Sequence, residues 1–159
     1  MTTKPKDLNT QGAREQKAPN YVFRPIGFVR SPFRKKHGVP RQSAMASRVK
    51  GEIWLDPEFP DLGLNALRRI EGFSHLWIVF VFHEHGGKKW KPSIRPPRLG
   101  GREKVGVLAS RSPHRPNPIG ISAVEFHGVR EQDGKIILKV TGLDLLDGTP
   151  VLDIKPYLP

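Results

Sequence analysis

Hydrophobic positions along the chain fall into short runs, and those runs predict strands. Val22, Ile26, Phe28 and Val29 form a β-prone stretch that stops at Ser31-Pro32, because proline has no N–H to offer a ladder. Residues 47–55 read as a second strand. Residues 75–83, HLWIVFVFH, are β-branched and aromatic with no polar alternation, which predicts a central strand buried on both faces. Residues 104–111 predict a further strand, and residues 150–154 a last extended piece. Residues 119–130 and 135–143 flank Gln132-Asp133-Gly134, a hairpin signal because glycine accepts positive φ. Asp61 stands before Leu62, Leu64, Leu67 and Ile70 at near-helical spacing, with Gly72 placed to end the turn, so one short helix is expected there. Six or so strands and one helix predict a mainly β domain, an antiparallel or mixed barrel closed or nearly so.

Composition narrows this further. With 36% hydrophobic residues, 159 residues can build one core. Residues 1–20 hold only Met1, Leu8, Ala13 and Ala18 as apolar positions, too few to offset the entropy of ordering them, so they are expected to be a disordered tail before a domain over 21–159. Sixteen prolines and sixteen glycines fit many turns and long loops. The absence of cysteine excludes disulfides, cysteine-ligated metals and thiol nucleophiles. No apolar run approaches the ~20 residues of a membrane span, and residues 1–20 lack the apolar stretch of a signal peptide. The expectation is a soluble, cytoplasmic protein with no membrane association.

The net charge of +12 is unevenly placed. One basic block includes Arg30, Arg34, Lys35, Lys36 and Arg41. The other, residues 88–115, carries nine Lys or Arg against one acid: Lys88, Lys89, Lys91, Arg95, Arg98, Arg102, Lys104, Arg111 and Arg115. Proline and glycine make both blocks loops, which can set guanidinium groups along a phosphate backbone without helical register. A solvated, solubilising face is the plain alternative, and the density of the second block favours a polyanion. Trp90 within it suits either stacking on a base or anchoring the loop.

Three segments combine hydrogen-bonding side chains with residues that fix the backbone: 38–42, 111–122 and 142–157. In the second, Pro113, Pro116 and Pro118 restrict φ around His114, Arg115 and Asn117, which preorganises a binding loop. Asp144, Asp147 and Asp153 lack the ligand spacing of a calcium loop, and His83 with His85 has no third ligand, so no metal is expected. No Gly-x-Gly-x-x-Gly or Walker loop occurs, which argues against a Rossmann-type crevice. Ser112 and Ser122 lie near His114 in sequence, but nothing forms a nucleophile elbow.

Five stretches, Pro40-Arg41-Gln42, residues 72–77 (GFSHLW), residues 95–101 (RPPRLGG), Arg111-Ser112 with residues 115–120 (RPNPIG), and Asp147-Gly148-Thr149-Pro150-Val151 with residues 153–157 (DIKPY), together resemble the TsaA-like domain of the TrmO family of tRNA N6-adenosine methyltransferases. The resemblance covers residues 21–159 and implies a single-sheeted β-barrel. It implies S-adenosylmethionine-dependent methylation of N6 on the threonylcarbamoyladenosine next to the anticodon of a threonine tRNA, by a homodimer with the donor near the subunit interface. Longer members continue into a C-terminal domain that helps to hold tRNA, whereas this sequence ends at Pro159. On matching positions the donor pocket would comprise Arg41, Gln42, Ser43, His83, Glu84, Arg111, Ile121, Thr141, Gly142, Leu143 and Asp144.

Within that reading, methyl transfer to an exocyclic nitrogen needs positioning and an acceptor for its proton. Asp147 is the first candidate acceptor and Asn117 an orienting group. Arg41 or Arg111 would pair with the donor's carboxylate, and Asp144 or Glu84 would accept from its hydroxyls or amine. Lys88, Lys89, Arg95, Arg98, Arg102 and Arg115 would hold RNA phosphates. Two other readings stay open: a non-catalytic basic RNA-binding barrel, and a TsaA-like methyltransferase with a different acceptor.

Overall fold

The computed structural model describes residues 18–35, 46–85 and 89–158. Most of the expected N-terminal tail, residues 1–17, lies outside these, as do Arg41, Gln42, Ser43 and Lys88. Among the described residues eight strands follow one another: β1 (Gly27–Arg30), β2 (Lys50–Leu55), β3 (His75–Val81), β4 (Ser93–Ile94), β5 (Val105–Gly106), β6 (Ile119–Gln132), β7 (Lys135–Thr141) and β8 (Pro150–Pro156). Six of them close on themselves as an antiparallel barrel in the order β1-β2-β7-β6-β3-β8, with Gly27 opposite Val151 completing the ring. The remaining pair, β4 and β5, is a separate two-stranded ribbon beside it.

Strand periodicity explains the interior. Ile53 and Leu55 of β2, Leu76, Ile78 and Phe80 of β3, Val124 and Phe126 of β6, and Leu138 and Val140 of β7 alternate with outward residues and form one core. Each such side chain contributes about 1.5–3 kcal/mol by leaving water. The β6–β7 hairpin turns at Asp133 (φ 51°) and Gly134 (φ 75°), the paired left-handed geometry that a two-residue loop demands. Gly120 of β6 faces Phe80 of β3, and a Cβ there would fall 2.3 Å from the Phe80 ring. The small residue is what lets those two strands pair over an aromatic floor.

Three expectations are corrected. β3 is not buried on both faces: Leu76, Ile78 and Phe80 point inward, whereas Trp77 and Val79 are half-covered, Trp77 by Tyr157 at 5.1 Å between rings. A closed ring has a single interior and no second layer over this strand. The expected helix is wound as two 3-10 turns, Leu64–Leu67 and Ile70–Gly72, separated by Arg68 with extended ψ and Arg69 at φ 71°. So short a connection gains too few hydrogen bonds to offset nucleation of an α-helix, yet Leu62, Leu67, Ile70 and Phe73 still pack on the core. Residues 104–111 hold only two strand residues and then a 3-10 turn, Val107–Ala109. The partner segment explains this, because Pro92 and Pro96 bracket Ser93–Ile94 and cannot donate to a longer ladder. No helix among the described residues is long and apolar enough to cross a membrane.

Candidate functional site

At the end of β3 the barrel opens into a cavity of about 1230 Å³. Its floor is Phe80 and Phe82, packed edge to face at 5.0 Å. The 3-10 turn His83–His85, the β4–β5 ribbon, residues 109–114 and the loop after β7 wall it. His85 stands edge-on to Phe82 and to His114, at 6.3 and 5.0 Å, which extends the aromatic surface to the rim. Phe82 donates its N–H to the carbonyl of Pro118, so the proline-rich loop is fastened to the end of β3.

Asp144, on this wall, has a displaced pKa. Gly142 turns the chain out of β7 with φ 84°, and its N–H is held by the Val49 carbonyl, which delivers Asp144 to the cavity. Burial pushes the Asp144 carboxyl above its usual range. The Ser122 hydroxyl, the aspartate's own backbone N–H and the Arg111 guanidinium pull in the other direction without cancelling the effect. Ser122, fully buried on β6, donates to Asp144 Oδ1 at 2.6 Å. Arg111 lines the same cavity and donates through Nη2 to the carbonyl of Ile121, one residue before Ser122. A guanidinium and a carboxylate thus share one corner of a cavity with an aromatic floor, an arrangement that suits a small-molecule site.

The proline-rich loop is stiff for reasons beyond its prolines. Arg115 folds back and donates through Nη1 to the carbonyls of Ser110 and Ser112, at 3.0 and 3.2 Å. The Ser110 and Ser112 hydroxyls accept from the N–H groups of Ser112 and His114. Arg115, Lys89 and Trp90 line a smaller pocket of about 220 Å³ on the other side of His114. Arg95 and Arg98 line the large cavity, and Arg95 reaches the Arg102 carbonyl at 2.7 Å.

The residues expected at the site are only partly brought together. His83, Glu84, Arg111 and Asp144 line the large cavity, joined by Arg95 and Arg98. Leu143 is fully buried in the barrel core, Gly142 is buried behind it, and Ile121 turns its side chain to solvent. Thr141 and Asp147 line a different groove, where Asp147 Oδ1 accepts from the Ser31 N–H at 3.1 Å. Asn117 is exposed and lines neither the large cavity nor that groove. Arg41, Gln42, Ser43 and Lys88 lie outside the described residues. No three His, Cys, Asp or Glu among the described residues gather as metal ligands.

Sequence reasoning missed Ser122 as a partner of Asp144, together with Phe80, Phe82, Leu145 and Leu146 in the wall. A signal for Ser122 was present. It shares the inward parity of Val124 and Phe126, and a polar residue on the core side of a strand needs a partner.

A family model described as the tRNA-methyltransferase O N-terminal domain matches residues 28–159. The chain is similar to a tRNA (adenine(37)-N6)-methyltransferase of Escherichia coli (strain K12), 49% identical over 140 residues, which is 88% of this chain and 59% of that protein. It is similar to a putative S-adenosylmethionine-dependent methyltransferase of Pseudomonas aeruginosa, RcsF, at 47% over 135 residues, 85% of this chain and 56% of that one. A human tRNA (adenine(37)-N6)-methyltransferase is 43% identical over 145 residues, 87% of this chain and 30% of its own length. Among solved structures, that of TrmO from Pseudomonas aeruginosa superposes with a TM-score of 0.68 at 40% identity, covering 89% of this chain and 57% of that chain. The chain therefore spans little more than half the length of the bacterial relatives it matches.

Proposed function

The chain belongs to the tRNA-methyltransferase O N-terminal domain family, and on that footing we propose that it methylates N6 of adenosine 37 in tRNA with S-adenosylmethionine as donor. The proposed acceptor is the threonylcarbamoyladenosine of threonine tRNA, and the proposed setting is the cytoplasm. The observation that carries this reading is the Arg111–Asp144 corner of the large cavity. A sulfonium donor combines a zwitterionic amino-acid end with a flat purine, which asks for one guanidinium, one carboxylate and apolar walls in the same place. The cavity supplies all three, and at about 1230 Å³ it exceeds the roughly 300–1,000 Å³ of a single-ligand site, so a base fits beside the donor.

When bound, the donor supplies an electrophilic methyl group. The residues of the chain then have separate tasks. Arg111, fastened to the Ile121 carbonyl, presents a fixed positive charge for a carboxylate. Asp144 and Glu84 both line the cavity, and Asp144 is the one set beside Arg111 and Ser122, so we assign it, rather than Asp147 in the groove, the proton that N6 loses as the new bond forms. Burial makes it a stronger acceptor than an exposed aspartate, and Ser122 fixes its orientation. Phe80, Phe82, His85 and His114 offer rings against which bases stack. Arg95 and Arg98 in the cavity wall, Arg102 whose carbonyl holds Arg95, and Lys89 in the smaller pocket beyond His114 are read as charge for phosphates, whereas Arg115 braces its own loop. Leu108, Ile119 and Ile121 are exposed apolar residues, the last with its carbonyl on Arg111, and we read them as part of the face on which a second copy completes each site.

Calorimetry with S-adenosylmethionine, followed by mass spectrometry of threonine tRNA incubated with protein and donor, tests the reading. Donor binding that Arg111→Ala weakens, and a mass gain of one methyl on the modified adenosine, are expected. Absence of donor binding at millimolar concentration would leave the basic RNA-binding barrel, and methylation elsewhere would point to another acceptor.

A further inference from the structure

Across the rim from the large cavity lies a groove of about 750 Å³ over the outer face of β1, β2 and β7. Strand register builds it. Arg30 of β1 sits opposite Glu52 of β2, and Glu52 sits opposite Lys139 of β7, so two cations flank one acid in a row. Neighbouring strands are about 4.8 Å apart, which puts the outer two backbones about 10 Å from one another. Lys50 is two residues along β2 on the same face, and Arg34 closes the end from the loop after β1.

The acids do not cancel this charge. Glu52 is held by Arg130 at 2.8 Å and by the Trp54 indole N–H at 2.7 Å. Asp147 Oδ1 is taken by the Ser31 N–H, a bond that ties the loop after β1 to the loop after β7. Arg34, Lys50 and Lys139 are exposed and have no ion-pair partner among the described residues. The loop after β7 is shared: Leu145, Leu146 and Thr149 wall the large cavity, while Asp147 walls the groove. Whatever lies in the groove therefore runs along one side of a loop whose other side is the site assigned above to methyl transfer.

We propose that this groove is a phosphate track for RNA, gripping the sugar–phosphate backbone through Arg30, Arg34, Lys50 and Lys139 while the target base enters the cavity beyond the loop. It rests on the reading of RNA as substrate, and it places RNA contacts outside the 88–115 block. Arg34, Lys50 and Lys139, without ion-pair partners among the described residues, stand in a concave surface beside Arg30, which lies over the Trp54 ring at 5.4 Å; this placement suits successive phosphates of a flexible strand, and phosphate contacts position RNA without reading its bases.

The test is binding of a labelled anticodon stem–loop RNA at several salt concentrations. The double variant Lys50→Gln/Lys139→Gln should weaken binding roughly tenfold or more at 0.1 M salt, and lower the slope of log affinity against log salt by about 1.4–1.8. Asp147→Asn keeps an acceptor for the Ser31 N–H while removing the charge, and should tighten binding. Arg68→Gln/Lys155→Gln removes the same two charges from exposed positions outside the groove and should leave the slope unchanged. Equal losses in the two double variants, or none in the groove variant, overturn the proposal. Calorimetry with S-adenosylmethionine on the same proteins separates it from the activity. A protein that binds no donor but loses RNA affinity in the groove variant keeps the track and loses the methyltransferase reading. A protein that binds donor but whose RNA affinity ignores the groove does the reverse.

Discussion

Replacing Ser122 by Ala removes one oxygen and takes one donor from the half-buried Asp144 carboxylate. The hydroxyl donates to Asp144 Oδ1 at 2.6 Å from a position that is 1% exposed, and an alanine there offers no donor in its place. A hydrogen bond to a charged group contributes about 1.5–3 kcal/mol, and here it favours the ionised carboxylate. Without it Asp144 holds its proton to higher pH. If Asp144 must be ionised to accept the N6 proton, the single-turnover methylation rate on the acid limb falls about ten- to hundredfold, since about 1.4 kcal/mol is a factor of ten. On the alkaline plateau, where Asp144 is ionised in both proteins, the two rates converge. The assay is single-turnover methyl incorporation into tRNA across a pH series, with donor affinity measured alongside. A rate reduced by the same factor at every pH, or an acid limb that does not move upward, refutes the assignment of Ser122 and Asp144.

The same geometry fixes three further outcomes. Because burial raises the folded-state pKa of Asp144, the folded state binds that proton more tightly than the unfolded chain does. Its contribution to stability is present below the ordinary carboxylate range and is lost as pH rises through the raised value. Asp144→Asn should flatten that part of a pH series of denaturant melts, and an unchanged series counts against the shift. Gly120→Ala places a methyl group 2.3 Å from the Phe80 ring and should cost about 1–3 kcal/mol through overpacking, read as a lower denaturant midpoint; an unchanged midpoint would show that β3 and β6 separate freely. Asp147→Ala removes the acceptor for the Ser31 N–H and should cost about 1 kcal/mol in a thermal melt, while donor affinity measured by calorimetry stays as in the parent because Asp147 lies outside the cavity.

Strand existence was legible in the amino-acid order because it depends on local rules. The strand-prone runs on either side of the Asp133-Gly134 turn, that turn itself and the Pro32 stop each act within a few residues, and the corresponding strands stand where those signals lie. The composition of residues 75–83 misled about burial for a physical reason. An all-apolar run reports a strand's affinity for an interior, not how many interiors the fold has, and a closed ring has one. Residues 61–72 misled similarly: apolar spacing marked the face that meets the core, but the connection was too short to support α-helical hydrogen bonding.

The candidate site divides along the same line. Chemical types were readable from the order of residues: rigid proline segments with Arg and His, an acidic turn after β7, and a basic excess without cysteine. Those features rest on side-chain identity and on restraints between adjacent residues, which the linear chain carries in full. Which of them meet could not be read that way. Asp144 and Asp147 are three positions apart with similar composition around them, yet one faces the cavity beside Arg111 and the other the groove beside Ser31. Closure of the ring makes that choice. It sets Ser122 of β6 against Asp144 in the loop after β7 and turns that loop so that its two sides serve two surfaces. Burial, and with it the raised pKa of Asp144, exists only after strands distant in the chain exclude water together.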